Sequence, residues 1–304
     1  MGPTDAGYVS NITRAETWEC DYNGHWNTRF YTRAFQYASE TVALLDGKGN
    51  PGTATIRSRH IRFHRELLSG DPVLVRSVAV QGGRWNGAVV HLLESDGTLS
   101  ATALDMPGCA SQHLPQVHEQ ALAHALPRGL LDDAPLAQGT TIDGRRANLG
   151  ILRPGAYDHT GALMFDELFR YLGYASYDHH VSLSYSPQFT AQSGVGRMVV
   201  EMRATWLGQA PAGRGLRSNS WLMHAQSKSF ATAHYLETLE GAPIALIELC
   251  LVAVDMASRR ATRVPDFLLA HAPSGQSHDA PAAIASSDGP AGVDRQLHSR
   301  TEHS

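Results

Sequence analysis

Laid over itself at an offset of 137 residues, the chain repeats. Asp21, Gly24, Arg33, Tyr37, Ala38 and Ser39 fall on Asp158, Gly161, Arg170, Tyr174, Ala175 and Ser176. Farther along the offset becomes 143, and Gly70, His91, Leu93 and Glu94 fall on Gly213, His234, Leu236 and Glu237. A few extra residues in the second copy account for the change. Solenoid repeats run about 20 to 50 residues, so a period this long is duplication of a whole domain. Whatever fold one half adopts, the other half must adopt too. A length of 304 residues accommodates two such units, each of about 130 residues and large enough to bury its own core.

Both copies run in the same order. Phe30, Ala34, Ala38 and Val42 recur every fourth residue after Asp21; Met164, Leu168, Leu172 and, one turn on, Ala175 do the same after Asp158. One apolar stripe predicts a helix with one buried face. Segments of strand character follow: HIRFHREL, PVLVRSVAV, GAVVHLLES and TLSATALDM in the first copy. The second offers VSLSYSPQF, RMVVEMRATWL, SNSWLMHA, SFATAHYLETL and PIALIELCLVAVDM, with turn residues such as SDG and LEG between strands. The predicted class is α+β, a long helix followed by an antiparallel meander that can wrap it. Residues 8–114 form the first unit and 148–270 the second. Residues 115–147, mixed in Pro, Gly and Ala, read as a connection with a short helix. Residues 271–304 are rich in Ala, Ser, Gly and Pro without apolar periodicity, so burial cannot offset their ordering entropy; a disordered tail is expected.

Composition removes several function classes. No apolar stretch approaches the roughly 20 residues of a membrane span, and the N-terminus lacks the basic patch and apolar core of a secretory signal. Cys20, Cys109 and Cys250 are an odd number without metal-ligand spacing, which predicts reduced thiols and a cytoplasmic location. A net charge of -4 argues against nucleic acid as a partner. Only two lysines, Lys48 and Lys228, occur, so scattered arginines would have to meet any ligand phosphates.

Chemistry concentrates at the start of the first helix, where Asp21, Asn23, Gly24, His25 and Asn27 form D-x-N-G-H-x-N. Asn27 can cap the helix, whose first-turn N–H groups favour negative charge. Such a helix end is suited to an oxyanion, here placed against the backbone N–H groups of Gly24 to Trp26. Gly24 lets the backbone turn tightly and approach a ligand. A carboxylate beside that site can act as nucleophile or as general base.

Residues 18–45 resemble the acyl-CoA thioesterases of the hotdog-fold group, the 4-hydroxybenzoyl-CoA thioesterase-like family. Their signature is an Asp, then Gly-His, then Asn and a Tyr at the helix entrance, here Asp21, Gly24, His25, Asn27 and Tyr31. The plant acyl-carrier-protein thioesterases have a similar D-x-N-x-H-x-N run. In the second copy, Asp158 and Gly161 keep part of the pattern, and IELCLVAVDMASRRATRVP resembles the family's last strand. The resemblance implies two tandem hotdog domains packed as an intrachain pseudo-dimer, each a helix wrapped by an antiparallel sheet. It implies hydrolysis of an acyl thioester of coenzyme A or of an acyl carrier protein, without metal or further cofactor, by pseudo-dimers that could assemble further. Asp21, His25 and Asn27 would be catalytic; Asn23, Gly24, Trp26, Tyr31, Asp158 and Gly161 would bind substrate.

The second copy has Ala162 in place of His25 and Met164 in place of Asn27. One complete site is therefore the simplest expectation, with the second unit as its opposite wall; the alternative is that Asp158 acts alone in the second copy. Plainer roles compete: Asp21 as a polar helix start, Asn27 as a cap, Trp26, Phe30 and Tyr31 as core, His91 and His234 as structural. His60 and His64 would suggest a metal only on a helix, and their segment has strand character. Two other functions compete as well. Hotdog hydratases place His five residues after Asp with an intervening Pro, whereas here the separation is four with Gly24 before the His. A noncatalytic acyl-thioester binder would need the first copy's full motif to be idle.

Overall fold

The computed structural model describes residues 7–21, 24–45, 47, 49, 56–106, 112–130 and 144–272. Asn23, Cys109, much of the expected connection and nearly all of the expected tail lie outside them.

The first unit runs β1 (Tyr8–Arg14), α1 (Thr28–Leu45), β2 (Ser58–Phe63), β3 (Pro72–Gln81), β4 (Val89–Ser95), β5 (Thr98–Met106) and β6 (Gln116–His118). The second runs β7 (Arg145–Ile151), α2 (Phe165–Ser182), α3 (Pro187–Ser193), β8 (Val195–Trp206), β9 (Gly215–Ala225), β10 (Ser229–Thr238), β11 (Pro243–Asp255), β12 (Arg260–Ala261) and α4 (Asp266–Ala270). Ten strands form one path, β1-β3-β4-β5-β2-β8-β11-β10-β9-β7, with β6 parallel on β3 and β12 on β11. Each half of the sheet carries its own long helix, which is the tandem hotdog arrangement.

The halves join where β2 pairs antiparallel with β8. His60 and Arg203, equivalent at the offset of 143, are register partners there. The pseudo-two-fold axis thus passes through the middle of the seam. It passes between the helices too: Arg29 of α1 reaches Asp166 of α2 at 3.3 Å, and these are equivalent positions at the offset of 137. Arg33 also bonds Asp166, at 2.9 Å, and Arg29 bonds Glu167. Equivalent positions on an axis face each other, so a symmetric pair would set like charges together. Duplication let the two copies diverge into opposite ones.

The main core lies between sheet and helices. Ala34, Phe35, Ala38 and Val42 of α1 are buried, as are Leu168, Leu172 and Ala175 of α2. Behind the first half-sheet, Val78, Val90, Leu92 and Leu104 pack with Leu122 and Ala125. Part of the segment read as a connection therefore covers the back of the sheet. Every residue of β4 is buried as a result, which explains why apolar residues occupy both of its faces.

Polar groups cross the core in matching positions. His91 accepts or donates at Ser77 Oγ through Nδ1 (2.6 Å), and His234 does so at Ser220 Oγ (2.9 Å). Both histidines have the structural place expected of them. Arg59, fully buried, forms a forked pair with Asp105 at 2.6 and 2.7 Å. Its guanidinium also lies 4.9 Å from the centre of the Phe165 ring, at the start of the second unit's helix.

VSLSYSPQF, expected as a strand, is instead the end of α2 followed by α3. Its alternation misleads because Pro187 opens a helix at its first position, and Ser186 Oγ caps it by accepting from the Phe189 N–H. His60 lies on a strand, and among the described residues no group of three His, Cys, Asp or Glu could hold a metal. No helix among them is long and apolar enough to cross a membrane.

Candidate active site

The Asp21 loop is built like a small knot. Asp21 N–H donates to His25 O at 2.8 Å, Gly24 N–H to Asp21 O at 3.0 Å, and His25 N–H to Asp21 Oδ1 at 3.1 Å. Gly24 has φ +78, a left-handed conformation that disfavours a side chain even though nothing would touch a Cβ there. The second copy repeats the knot: Asp158 N–H to Ala162 O at 2.9 Å, Gly161 N–H to Asp158 O at 3.0 Å, Ala162 N–H to Asp158 Oδ1 at 3.1 Å, with Gly161 at φ +80. Asp158 Oδ1 further accepts from the N–H and hydroxyl of Thr160. The shared aspartate therefore has a turn-forming role in both copies, and its chemistry must come from what differs between them.

That difference is the imidazole and what surrounds it. His25 Nδ1 lies 3.9 Å from Asp21 Oδ2, and His25 Nε2 lies 3.4 Å from Glu66 Oε2. Glu66 follows β2, in a connection held against the motif by Trp26 N–H to Leu67 O (2.7 Å) and Ser69 N–H to Gly24 O (3.2 Å). Glu66 is in turn paired with Arg259 of the second unit. At the offset that aligns Gly70 with Gly213, Glu66 falls on Gln209. The second copy has thus lost the imidazole, its acidic partner and the Asn cap together. Glu66 and Arg259 were absent from the sequence expectation. The substitution by Gln209 beside Ala162 was the available signal for Glu66; nothing local marks Arg259, which is 193 residues away from its partner.

Several expected roles change. Trp26 is buried, its ring tilted against that of Tyr31 with centroids 4.5 Å apart, and its indole N–H donates to Glu19 Oε2 at 2.8 Å. Tyr31 is also buried and accepts the Leu67 N–H at its hydroxyl. Both lie in the core and brace the loop. Asn27 caps α1, its Oδ1 accepting the Arg29 N–H at 2.9 Å. The proposed oxyanion donors are also engaged: the N–H groups of Gly24, His25 and Trp26 all bond within the loop or to Leu67. The first helical residue, Thr28, is exposed and its N–H has no acceptor among the described residues. Cys20 donates to Glu16 O, and burial is the main cause that pushes its thiol pKa up, away from a nucleophilic thiolate.

Asp21, His25 and Glu66 form a row of groups that can take and deliver a proton. Residues 15–122 match the family model of the thioesterase-like superfamily. No curated protein sequence matches the chain significantly. The fold is similar to a structure provisionally named oleoyl thioesterase from Lactobacillus plantarum, at 13% identity and TM-score 0.55, covering 83% of this chain and 98% of that one. An acyl-ACP thioesterase from Bacteroides thetaiotaomicron is similar at 10% identity and TM-score 0.54, covering 83% and 100%. The 12:0-ACP thioesterase from Umbellularia californica is similar at 12% identity and TM-score 0.52, covering 80% and 93%. At these identities the likeness is one of fold, and it spans both units. Both units together share the fold of these solved structures, and the match to the thioesterase-like superfamily lies in the first unit, residues 15–122.

Proposed function

We propose that the first unit hydrolyses an acyl-CoA thioester to the free acid and coenzyme A. The observation that carries this reading is the Asp21, His25 and Glu66 row, present at one helix start and dismantled at its duplicate. Asp21 either attacks the carbonyl carbon, forming an anhydride that water then hydrolyses to the acid and free Asp21, or activates a water that attacks the carbonyl directly. His25, between two carboxylates, positions that water and moves the proton. With the Gly24 to Trp26 amides engaged, the Thr28 N–H at the positive end of α1 is the oxyanion donor. The C–S bond breaks and the departing thiolate takes up a proton; its low basicity makes a metal unnecessary. Asp158 and Gly161 hold the opposite unit's equivalent turn and shape the substrate's wall indirectly.

A second carrier is favoured by one observation. The structures similar over both units include two named for acyl-ACP substrates, so an acyl carrier protein is the alternative to coenzyme A. The test is free-thiol release from panels of acyl-CoA and acyl-ACP thioesters, with wild type, Asp21→Asn and Asp158→Asn. Turnover lost with Asp21→Asn and kept with Asp158→Asn supports a single working site. Full activity in Asp21→Asn would sink the assignment, and binding without turnover would return the noncatalytic reading.

A further inference from the structure

We propose that Arg259 of the second unit is a positioning residue for the first unit's site, holding Glu66 against His25; this rests on the function proposed above. Arg259 ends the four-residue turn between β11 and β12. It has φ +58, a left-handed backbone that glycine and asparagine adopt more cheaply than arginine. The turn does not need its side chain. Asp255 O accepts the Arg259 N–H at 2.8 Å, and Asp255 Oδ1 accepts both the N–H and hydroxyl of Ser258 at 2.7 Å.

Stability does not explain the residue either. The side chains of Arg259 and Glu66 are 40% and 38% exposed, and an ion pair so open to water contributes little to folding. A strained backbone that carries a cation across the pseudo-dimer for little stability points to the group at the far end of the pair. That group is Glu66, whose carboxylate lies 3.4 Å from His25 Nε2. Without Arg259, a half-exposed glutamate on a loop is free to leave the imidazole. The second unit thus contributes to the site although its own motif has decayed.

Charged groups facing His25 come from three elements. Asp21 lies on its own loop, Glu66 on the connection after β2, and Arg259 on the second unit's turn. Nearby, Glu19 is held by Trp26 and Arg33, and Asp71 by the Leu68 N–H. Removing Arg259 takes away the partner that fixes Glu66 beside the imidazole.

The experiment compares Arg259→Gly, Arg259→Lys and Glu66→Gln in the full chain. It measures kcat and KM for a hydrolysed acyl thioester across pH, the melting temperature, and the His25 ring titration by NMR, assigned with His25→Gln. Arg259→Gly should keep or raise the melting temperature, because glycine relieves the left-handed strain, while kcat falls about tenfold with KM little changed. Its pH profile and its His25 NMR signals should differ from wild type, and Arg259→Lys should recover most of the rate. Unchanged kcat and unchanged His25 NMR signals in Arg259→Gly would overturn the proposal. So would a raised KM at constant kcat, which would make Arg259 a substrate contact. If Asp21→Asn is inactive while Arg259→Gly behaves as wild type, this proposal alone falls. If wild type hydrolyses no thioester, the functional reading falls, and the His25 titration decides on Arg259 by itself.

Discussion

Reversing the charge of Asp166 should break the pairing of the two units in a way that a compensating change on the other helix partly repairs. Asp166 is nearly buried, with 8% of its side chain exposed, and serves two guanidinium groups, Arg29 at 3.3 Å and Arg33 at 2.9 Å. Arg29 is a quarter exposed and Arg33 about a third, so the cluster lies between a surface pair, worth about 0–1 kcal/mol, and a buried one, whose breakage costs about 3–5 kcal/mol. Asp166→Asn should therefore cost about 2 kcal/mol. Asp166→Arg, which adds repulsion and leaves Glu167 and Glu19 as the remaining counter-charges, should cost about 3–4 kcal/mol. Arg29→Asp alone sets two carboxylates on the axis and should cost about 2 kcal/mol. The swap Arg29→Asp with Asp166→Arg restores opposite charges at the axis but leaves Arg33 facing the new arginine. Its loss should be smaller than the sum of the single changes by about 1–2 kcal/mol. Urea unfolding gives these numbers from midpoints at a constant m-value, and a salt series should shrink the differences. If Asp166→Arg lies within about 0.5 kcal/mol of wild type, or if the swap is strictly additive, charge at the axis does not specify how the units pair.

Asp105→Asn should cost about 3–5 kcal/mol, because it strands the fully buried Arg59 guanidinium; replacing both partners by apolar residues should recover much of that in the same unfolding assay. Acid should destabilise the fold from pH 6.5 downward. Burial lowers His179 to about 4 and His234 to about 3, so between 6.5 and those values only the unfolded chain takes up the protons, costing on the order of 3 kcal/mol per histidine by pH 4. Glu201 acts in the same direction: its carboxylate accepts from His60 and from the Arg128 and Gly129 N–H groups, which hold it at about 2 despite burial, so its stabilisation is complete above 4.5 and disappears as pH falls toward 2. A stability profile flat between pH 6.5 and 4 would refute the histidine assignment. Asn27→Ala, which removes the cap of α1, should cost about 1 kcal/mol while leaving residual turnover; complete inactivity in a folded variant would restore Asn27 as a catalytic group.

Much of the fold was legible because its signals are local. The helix stripes at Ala34, Ala38 and Val42, and at Leu168, Leu172 and Ala175, mark faces that the structure buries. The central strands β3, β4, β5 and β8 to β11 carry continuous or alternating apolar runs because they are packed on one or both faces. The first strand of each unit was not legible. Half-exposed YVSNITR and RRANLGI have little apolar periodicity, and they become strands by pairing with β3 and β9, far along the chain. The end of α2 was misread for the opposite reason, since a chance alternation imitated a strand across a helix boundary.

The sequence by itself determined the duplication, the α+β class and the place of the motif, because these follow from repetition and from periodicities that each short segment carries within itself. It also showed that only one copy keeps His25 and Asn27. Tertiary structure decided the rest of the site. Only packing could show that Trp26 and Tyr31 serve the core, that the amides of Gly24 to Trp26 are already bonded, and that Asp21 shares its turn-forming role with Asp158. Only the pseudo-two-fold pairing brings Arg259 to Glu66 and Glu66 to His25, and opposes Arg29 to Asp166. The physical reason is the same in each case: a hydrogen bond or ion pair depends on distance in space, and residues 41, 137 and 193 positions apart leave no mark of their nearness on the chain.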